Sequence, residues 1–158
     1  MKPAKAAPGV LALVMVAALG ACAPLVSPER AATRDAELVR SIVQANLAAI
    51  AAGRLAVSRA RSREVRQHGQ RMVKAHTLLQ AEASELKSAR GVPLPTRPDA
   101  EQEAALRKLE RLPRAEFDRA YLELARKEQE ARVQLLRRAA SRASDPALRA
   151  YAERAAAP

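Results

Sequence analysis

Tryptophan is absent from this chain of 158 residues, and its aromatic side chains stop at Phe117, Tyr121 and Tyr151. Glycine occurs five times. So little of either, beside abundant alanine, argues against a β-rich domain and for helices. No stretch alternates apolar and polar residues as a half-buried strand would, and no heptad array or tandem repeat stands out. There is no glycine-rich phosphate loop, and no Ser-His-Asp set can be assembled with any specificity. The shortage of aromatics also removes the stacking surface on which single-strand nucleic-acid binders rely.

Cysteine is nearly absent too: Cys22 is the only one. It closes a stretch, MKPAKAAPGVLALVMVAALGAC, with Lys2 and Lys5 at its start and an apolar run from Val10 to Leu19. Basic start, apolar run and small residues before a cut site are the order of a secretory signal. Leu19-Gly20-Ala21-Cys22 resembles the lipobox of bacterial lipoproteins. That resemblance implies that the Cys22 thiol is acylated, with palmitate-like chains, and that Cys22 begins the mature protein. Ala23, standing where an aspartate would signal inner-membrane retention, implies attachment to the periplasmic face of the outer membrane.

Two other readings stay open. A membrane span is compatible with the lack of charge between Lys5 and Glu29. Against it, Pro8, Gly9, Gly20 and Pro24 interrupt the run, and a span needs about 20 apolar residues. A plain cleaved signal leaves an unpaired exported cysteine unexplained, whereas acylation consumes the thiol. The division read here is a signal peptide over 1–21, a lipidated N-terminus and tether over 22–32, and one helical domain over 33–158.

Charge is unbalanced: 28 Lys and Arg against 17 Asp and Glu, a net of +11, and mostly arginine. An exported protein meets little nucleic acid, so none is expected as a partner. A basic surface suits anionic lipid or cell-wall polymer. Arginine-rich helices that simply solvate their outer faces produce the same excess.

The apolar pattern is helical throughout. Thr33 is placed to cap a first helix running to about Arg61, with Leu38, Ile42, Ala45, Ala49, Ala52 and Ala56 on one face. Ser62 caps a second, whose seam runs through Val65, Gly69, Met72, His76, Leu79, Ala83 and Leu86. Gly91 is placed to end it. A short helix follows Asp99, Pro113 interrupts it, and a long helix runs from about Ala115 to Ser141 with Phe117, Tyr121, Leu124, Leu135 and Leu136 inward. Asp145-Pro146 opens a last helix. Gly53 and Gly69 allow close helix approach. The fold expected is all-α: four bundle helices and one short additional helix.

Three blocks then point to a family. GRLAVSRARSREVRQHGQRMVKAHTLL from Gly53, GVPLP from Gly91 and AEFDRAYLE from Ala115 resemble a bacterial family called domain of unknown function 4142, over about residues 34–151. The resemblance implies a ferritin-like helical bundle, often behind a signal or lipoprotein leader. It also implies where a metal site would lie and what this chain lacks there. Ala49 and Ala51 stand where related sequences place glutamates, and Gln129 stands where they place a histidine. Relatives continue beyond the equivalent of Pro158, so the last helix is expected to be truncated. Of the implied ligands His76 alone survives, and one histidine does not make a metal centre.

His76, between Met72 and Leu79 on the seam, is expected to be buried and hydrogen-bonded to Glu128 or Gln129; a metal or proton-transfer role is the alternative. His68 is expected to pack, and Tyr121 to be core rather than redox-active. Arg59, Arg63 and Arg66 belong to a basic series at one end of the bundle and are the candidates for meeting an anionic partner.

The function expected is a non-catalytic envelope lipoprotein with an interaction or structural role, without a cofactor other than the lipid on Cys22. The alternative is a ferritin-like metal-binding or oxidative-stress protein. A short last helix would expose an apolar face, to be covered by a partner protein or a second copy.

Overall fold

The computed structural model describes residues 27–156; the leader, Cys22 and the tether up to residue 26 lie outside the described residues. The described chain is all-α: α1 (Pro28–Arg59), α2 (Arg63–Glu85), α3 (Ala100–Arg111), α4 (Arg114–Arg142) and α5 (Pro146–Ala156), with a 3-10 turn over Lys87–Ala89.

Local chemistry sets each boundary. The first cap is Ser27 rather than Thr33: the Ser27 hydroxyl accepts from Arg30 N at 3.4 Å, Pro28 fills the first turn and Glu29 meets the positive end of the helix dipole. Ser-Pro-Glu is a complete start signal lying ahead of Thr33. Thr33 is therefore an interior residue whose hydroxyl donates to the Glu29 carbonyl. The helix thus begins inside the expected tether. Ser62 caps α2 as expected, accepting from Glu64 N and Val65 N. Gly91 does not end α2. That helix stops at Glu85, and Gly91, at φ 74°, follows the 3-10 turn in the left-handed region that glycine tolerates. Asp99 and Gln102 form a reciprocal capping box on α3, and Pro113 separates α3 from α4.

α1 packs against α2 and α4, α5 packs along α4, and α3 lies across α1 and α4. Gly53 and Gly69 bring α1 and α2 into backbone contact: a Cβ on Gly69 would stand 2.7 Å from the Gly53 carbonyl oxygen. One apolar cluster, including Val39, Val43, Leu136, Leu148 and Tyr151, fills the end near the start of α1. A second, including Ala56, Val65, Leu109, Phe117 and Tyr121, fills the far end. With 32 residues α1 runs about 48 Å, the length of the domain.

The two helix corners share one arrangement of side chains. Asp118 Oδ1 and Oδ2 accept from Arg61 N and Ser62 N, and Arg66 Nη1 donates to the Ala60 and Arg61 carbonyls. Asp35 accepts from Ser144 N and Asp145 N, and Arg149 Nη1 donates to the Ala143 and Ser144 carbonyls. Asp35 and Asp118, Ala60 and Ala143, and Arg66 and Arg149 each stand 83 residues apart. The sequence carries the trace, SRARSREVRQHG from Ser58 against SRASDPALRAYA from Ser141. It is too sparse to see without knowing which positions matter. The hairpin α1–α2 is thus matched by α4–α5, and each carboxylate clamps the corner of the other hairpin.

Candidate functional site

The interior polar groups form two linked sets. Tyr151 donates its hydroxyl proton to the Leu79 carbonyl at 3.2 Å and accepts from Asn46 Nδ2 at 3.3 Å. That turns Asn46 Oδ1 toward His76 Nδ1, 3.0 Å away, so Nδ1 carries the His76 proton. The expected partners Glu128 and Gln129 are not the ones used. The seam at His76 faces α1, where Asn46 stands, and the Gln129 amide oxygen is taken by Arg132 Nε and Nη2. His76 is 2% exposed, and burial, helped by the Arg132 cation, holds its pKa down at about 4. It is a neutral imidazole at ordinary pH.

His68 and Tyr121 make the second set. Nδ1 and the hydroxyl oxygen are 2.8 Å apart, and the rings meet edge to face at 5.6 Å. Burial lowers the His68 pKa, with Arg71 adding to it, and raises that of Tyr121 to about 12. Phe117 stacks on Tyr121 at 6.1 Å. The expectation that His68 packs holds, with a hydrogen bond that the pattern of apolar positions did not reveal.

Between the two apolar clusters lies a partly open cavity of about 30 Å³, lined by Ala45, Ala48, Ala49, Ala52, Ala105 and Ala125 and reached by His76 and Tyr121. That is room for one or two waters. Ala49, His76 and Gln129, three of the positions that the resemblance marked for metal ligands, line it. The donors around it are Met72, His76, Gln102, Glu128 and Gln129, with Arg132 as a fixed cation beside them. Among the described residues no three His, Cys, Asp or Glu side chains are grouped to hold a metal ion. A carboxylate-rich centre, Glu from facing helices with Glu-x-x-His pairs, does not fit this donor set.

The other side of this layer is open. A groove of about 730 Å³ runs between α2 and α4 beyond the last turn of α5. Met72, Leu79, Leu122 and Ala125 line it, and Leu78 and Leu122 are 64% and 47% exposed. Its charged lining residues are Arg126, Arg132 and Arg154. Arg126 pairs with Glu130, and Arg154 with Glu82, on the surface. Arg132 is different: besides Gln129 it donates only to the Ala155 carbonyl. Among the described residues no carboxylate lies within 4.0 Å of it.

The three arginines singled out in the sequence share one end of the domain and have unequal surroundings. Arg59 Nη2 donates to the Leu112 carbonyl at 2.9 Å, and its guanidinium lies 6.0 Å from the centre of the Phe117 ring. Arg66 holds the α1–α2 corner. Arg63 is exposed at the first position of α2. Cys22 lies outside the described residues.

A family model described as Domain of unknown function (DUF4142) matches residues 21–158. No curated protein and no solved structure matches the chain.

Proposed function

Because the chain belongs to the family of that domain of unknown function, we propose that it is a lipid-anchored, non-catalytic protein of the bacterial envelope that acts by binding other envelope components. The observation that carries the non-catalytic part is the interior ladder of His76, Asn46, Tyr151 and the Leu79 carbonyl. These groups satisfy one another, and the imidazole is held neutral by burial. That is the chemistry of a fixed core, not of a site that passes protons or holds a cation.

The anchor rests on Leu19-Gly20-Ala21-Cys22. Five residues separate Cys22 from the start of α1, a reach of about 17–18 Å. Arg34 and Asp35 tie that end of α1 to the α4–α5 corner. An acyl chain on Cys22 would therefore set this pole against the bilayer, with exposed Arg30, Arg90 and Arg142 near its headgroups. Arg63, at the opposite pole, would face away, toward anionic polymer or protein. Anchoring by more than one chain would be firm.

Labelling the intact precursor in a bacterial host with radioactive palmitate tests the anchor. Label lost on Cys22→Ser, with release of the protein from the membrane, is the expected outcome. An unlabelled wild-type protein, or a serine variant that stays membrane-bound, would overturn it. Metal analysis of the same purified protein tests the other half. Stoichiometric iron, zinc or manganese that disappears with His76→Ala would reverse the non-catalytic reading in favour of a ferritin-like metal protein.

A further inference from the structure

α2 has 23 residues and α5 has 11. Under the offset of 83, α5 matches residues 63–73 of α2, and the rest of α2, three turns of helix, has no counterpart among the described residues. The open groove lies on that line. It follows α4 back from Arg132 to Leu122 and α2 back from Leu79 to His68, starting where α5 reaches Ala155. In the first hairpin the corresponding stretch of α2 covers α1 and places His76 and Ala83 in the core. In the second, α4 presents Leu122 and Ala125 to an uncovered slot.

We propose that this groove is the docking site for an acidic amphipathic helix of a partner protein, seated as a continuation of α5 by about three turns. This deepens the interaction reading above and rests on it, but needs no acyl chain. Three observations name the occupant. The slot has the place and direction of a helix, because the repeat puts one there in the first hairpin. Its floor is apolar, and two of the three exposed large apolar side chains of the described residues, Leu78 and Leu122, stand on it. Its charged lining residues are all arginines, and Arg132 is a half-buried guanidinium without a carboxylate. Arg126 and Arg154 hold only exposed carboxylates, in pairs that contribute little and exchange partners readily. A second copy of this chain is the weaker fit, since the excess of basic over acidic residues, which remains without Lys2 and Lys5 of the leader, opposes self-association.

The probe is a fluorescein-labelled, stapled helical peptide of about four turns, with leucines at i, i+3, i+4 and i+7 and glutamates along one edge. A second peptide carries lysine for each glutamate. Binding is read by anisotropy on the full chain, in phosphatidylcholine nanodiscs if it is acylated and in buffer if it is not, with empty discs as blank. The anchor can therefore fail without touching this test. The glutamate peptide is expected to bind at least about tenfold tighter than the lysine peptide, a difference of about 1.4 kcal/mol. Arg132→Gln should erase most of that preference. Leu78→Glu and Leu122→Glu, both at exposed positions that a folded chain tolerates, should each abolish binding. Equal binding of the two peptides, or binding indifferent to Leu78→Glu and Leu122→Glu, would overturn the proposal. So would displacement of the peptide by laurate, which would make the occupant a lipid. A concentration-dependent dimer in sedimentation that Leu122→Glu dissociates would make it a second copy and overturn the proposal as well.

Discussion

The corner joining α1 to α2 and the corner joining α4 to α5 are built from the same parts and held differently. Each has an alanine in extended conformation at the end of the incoming helix, Ala60 or Ala143, and a polar cap on the outgoing one, Ser62 or Asp145. Each has an arginine, Arg66 or Arg149, whose Nη1 gathers two carbonyls. The clamps differ. Asp35 is 3% exposed and takes both corner N–H groups at 2.7–2.9 Å. Asp118 is half-buried and takes its two at 2.8 and 3.0 Å. The helix contacts differ in the opposite sense. Gly53 and Gly69 put α1 and α2 in backbone contact, while Leu136 and Ala152, at the matching positions, fill the α4–α5 side with side chains. The first hairpin closes by backbone contact and the second by side-chain packing, with the more deeply buried clamp at its corner. Because each clamp comes from the other hairpin, the corners also lock the two halves together.

The sharpest way to break that comparison is to remove the clamps one at a time. Asp35→Ala removes a buried carboxylate and leaves two part-buried N–H groups without their acceptor. It should lower unfolding free energy by about 4 kcal/mol, at about 2 for each charge-assisted bond lost. Asp118→Ala, where water can replace the carboxylate, should lose about 2 kcal/mol. Urea unfolding of the two variants measures both. Equal losses would mean that the two corners carry the same weight.

Next in size is a difference between the halves that depends on pH. His76 belongs to the first hairpin, and α5, as described over Pro146–Ala156, carries no histidine. In the fold its pKa is about 4, below the ordinary 6.5, so between those values the unfolded chain binds the extra proton. The stability it contributes is complete above pH about 6.5 and is lost as pH falls through about 4. Over that interval the loss should be on the order of 3 kcal/mol. His76→Gln should flatten that part of the pH profile. An unchanged profile would place the acid sensitivity elsewhere.

What was legible in the sequence follows the range of the interaction. Ser62, Asp99 and Pro113 act on their own neighbours and could be read directly; Ser27 could have been, since Ser-Pro-Glu is as complete a signal as Thr33 with its acidic neighbours. The core seam of α2 was legible from period alone, His76 included. Its partner was not. Asn46 and Gln129 stand on different helices, both within the chemistry of a histidine, and only packing chooses between them. The corner clamps were hidden for the same reason, since Asp35 and Asp118 act on residues 109 and 56 positions away. The groove follows from the length of α5 relative to α2, and that means little until the two hairpins are known to match. The family resemblance was borne out over most of the chain; it did not reveal the repeat.

A smaller effect separates the two helix contacts. Gly69→Ala forces a methyl against the Gly53 carbonyl oxygen and the Ala56 side chain, 2.8 Å away, neither at the flexible end of a chain. The gain in helix propensity, about 1 kcal/mol, is outweighed by overpacking of up to about 3 kcal/mol. A net loss near 2 kcal/mol is expected in thermal or urea unfolding. Ala152→Gly, at the matching place in the second hairpin, should lose about 1 kcal/mol from propensity and the lost methyl contacts. If Gly69→Ala stabilised the protein, the backbone contact would not be the feature that distinguishes α1–α2.

The smallest expected difference is between Arg66 and Arg149, where the two corners are most alike. Each side chain reaches back to a pair of carbonyls that the incoming helix leaves open, at 2.7–3.1 Å. Removing the guanidinium exposes those carbonyls to water, so Arg66→Ala and Arg149→Ala should each lose about 1 kcal/mol. Lysine should restore part of the loss, because at each corner a single nitrogen, Nη1, reaches both carbonyls, and one ammonium also carries enough N–H groups for two acceptors. The corners lie at opposite poles of a domain about 48 Å long, and the two arginines share no partner. The double variant should therefore lose the sum of the single losses within about 0.5 kcal/mol. A loss clearly greater than the sum in urea unfolding would mean that the corners sense each other. The path would run through the crossed clamps, since Asp118 holds the turn that Arg66 caps and Asp35 the turn that Arg149 caps.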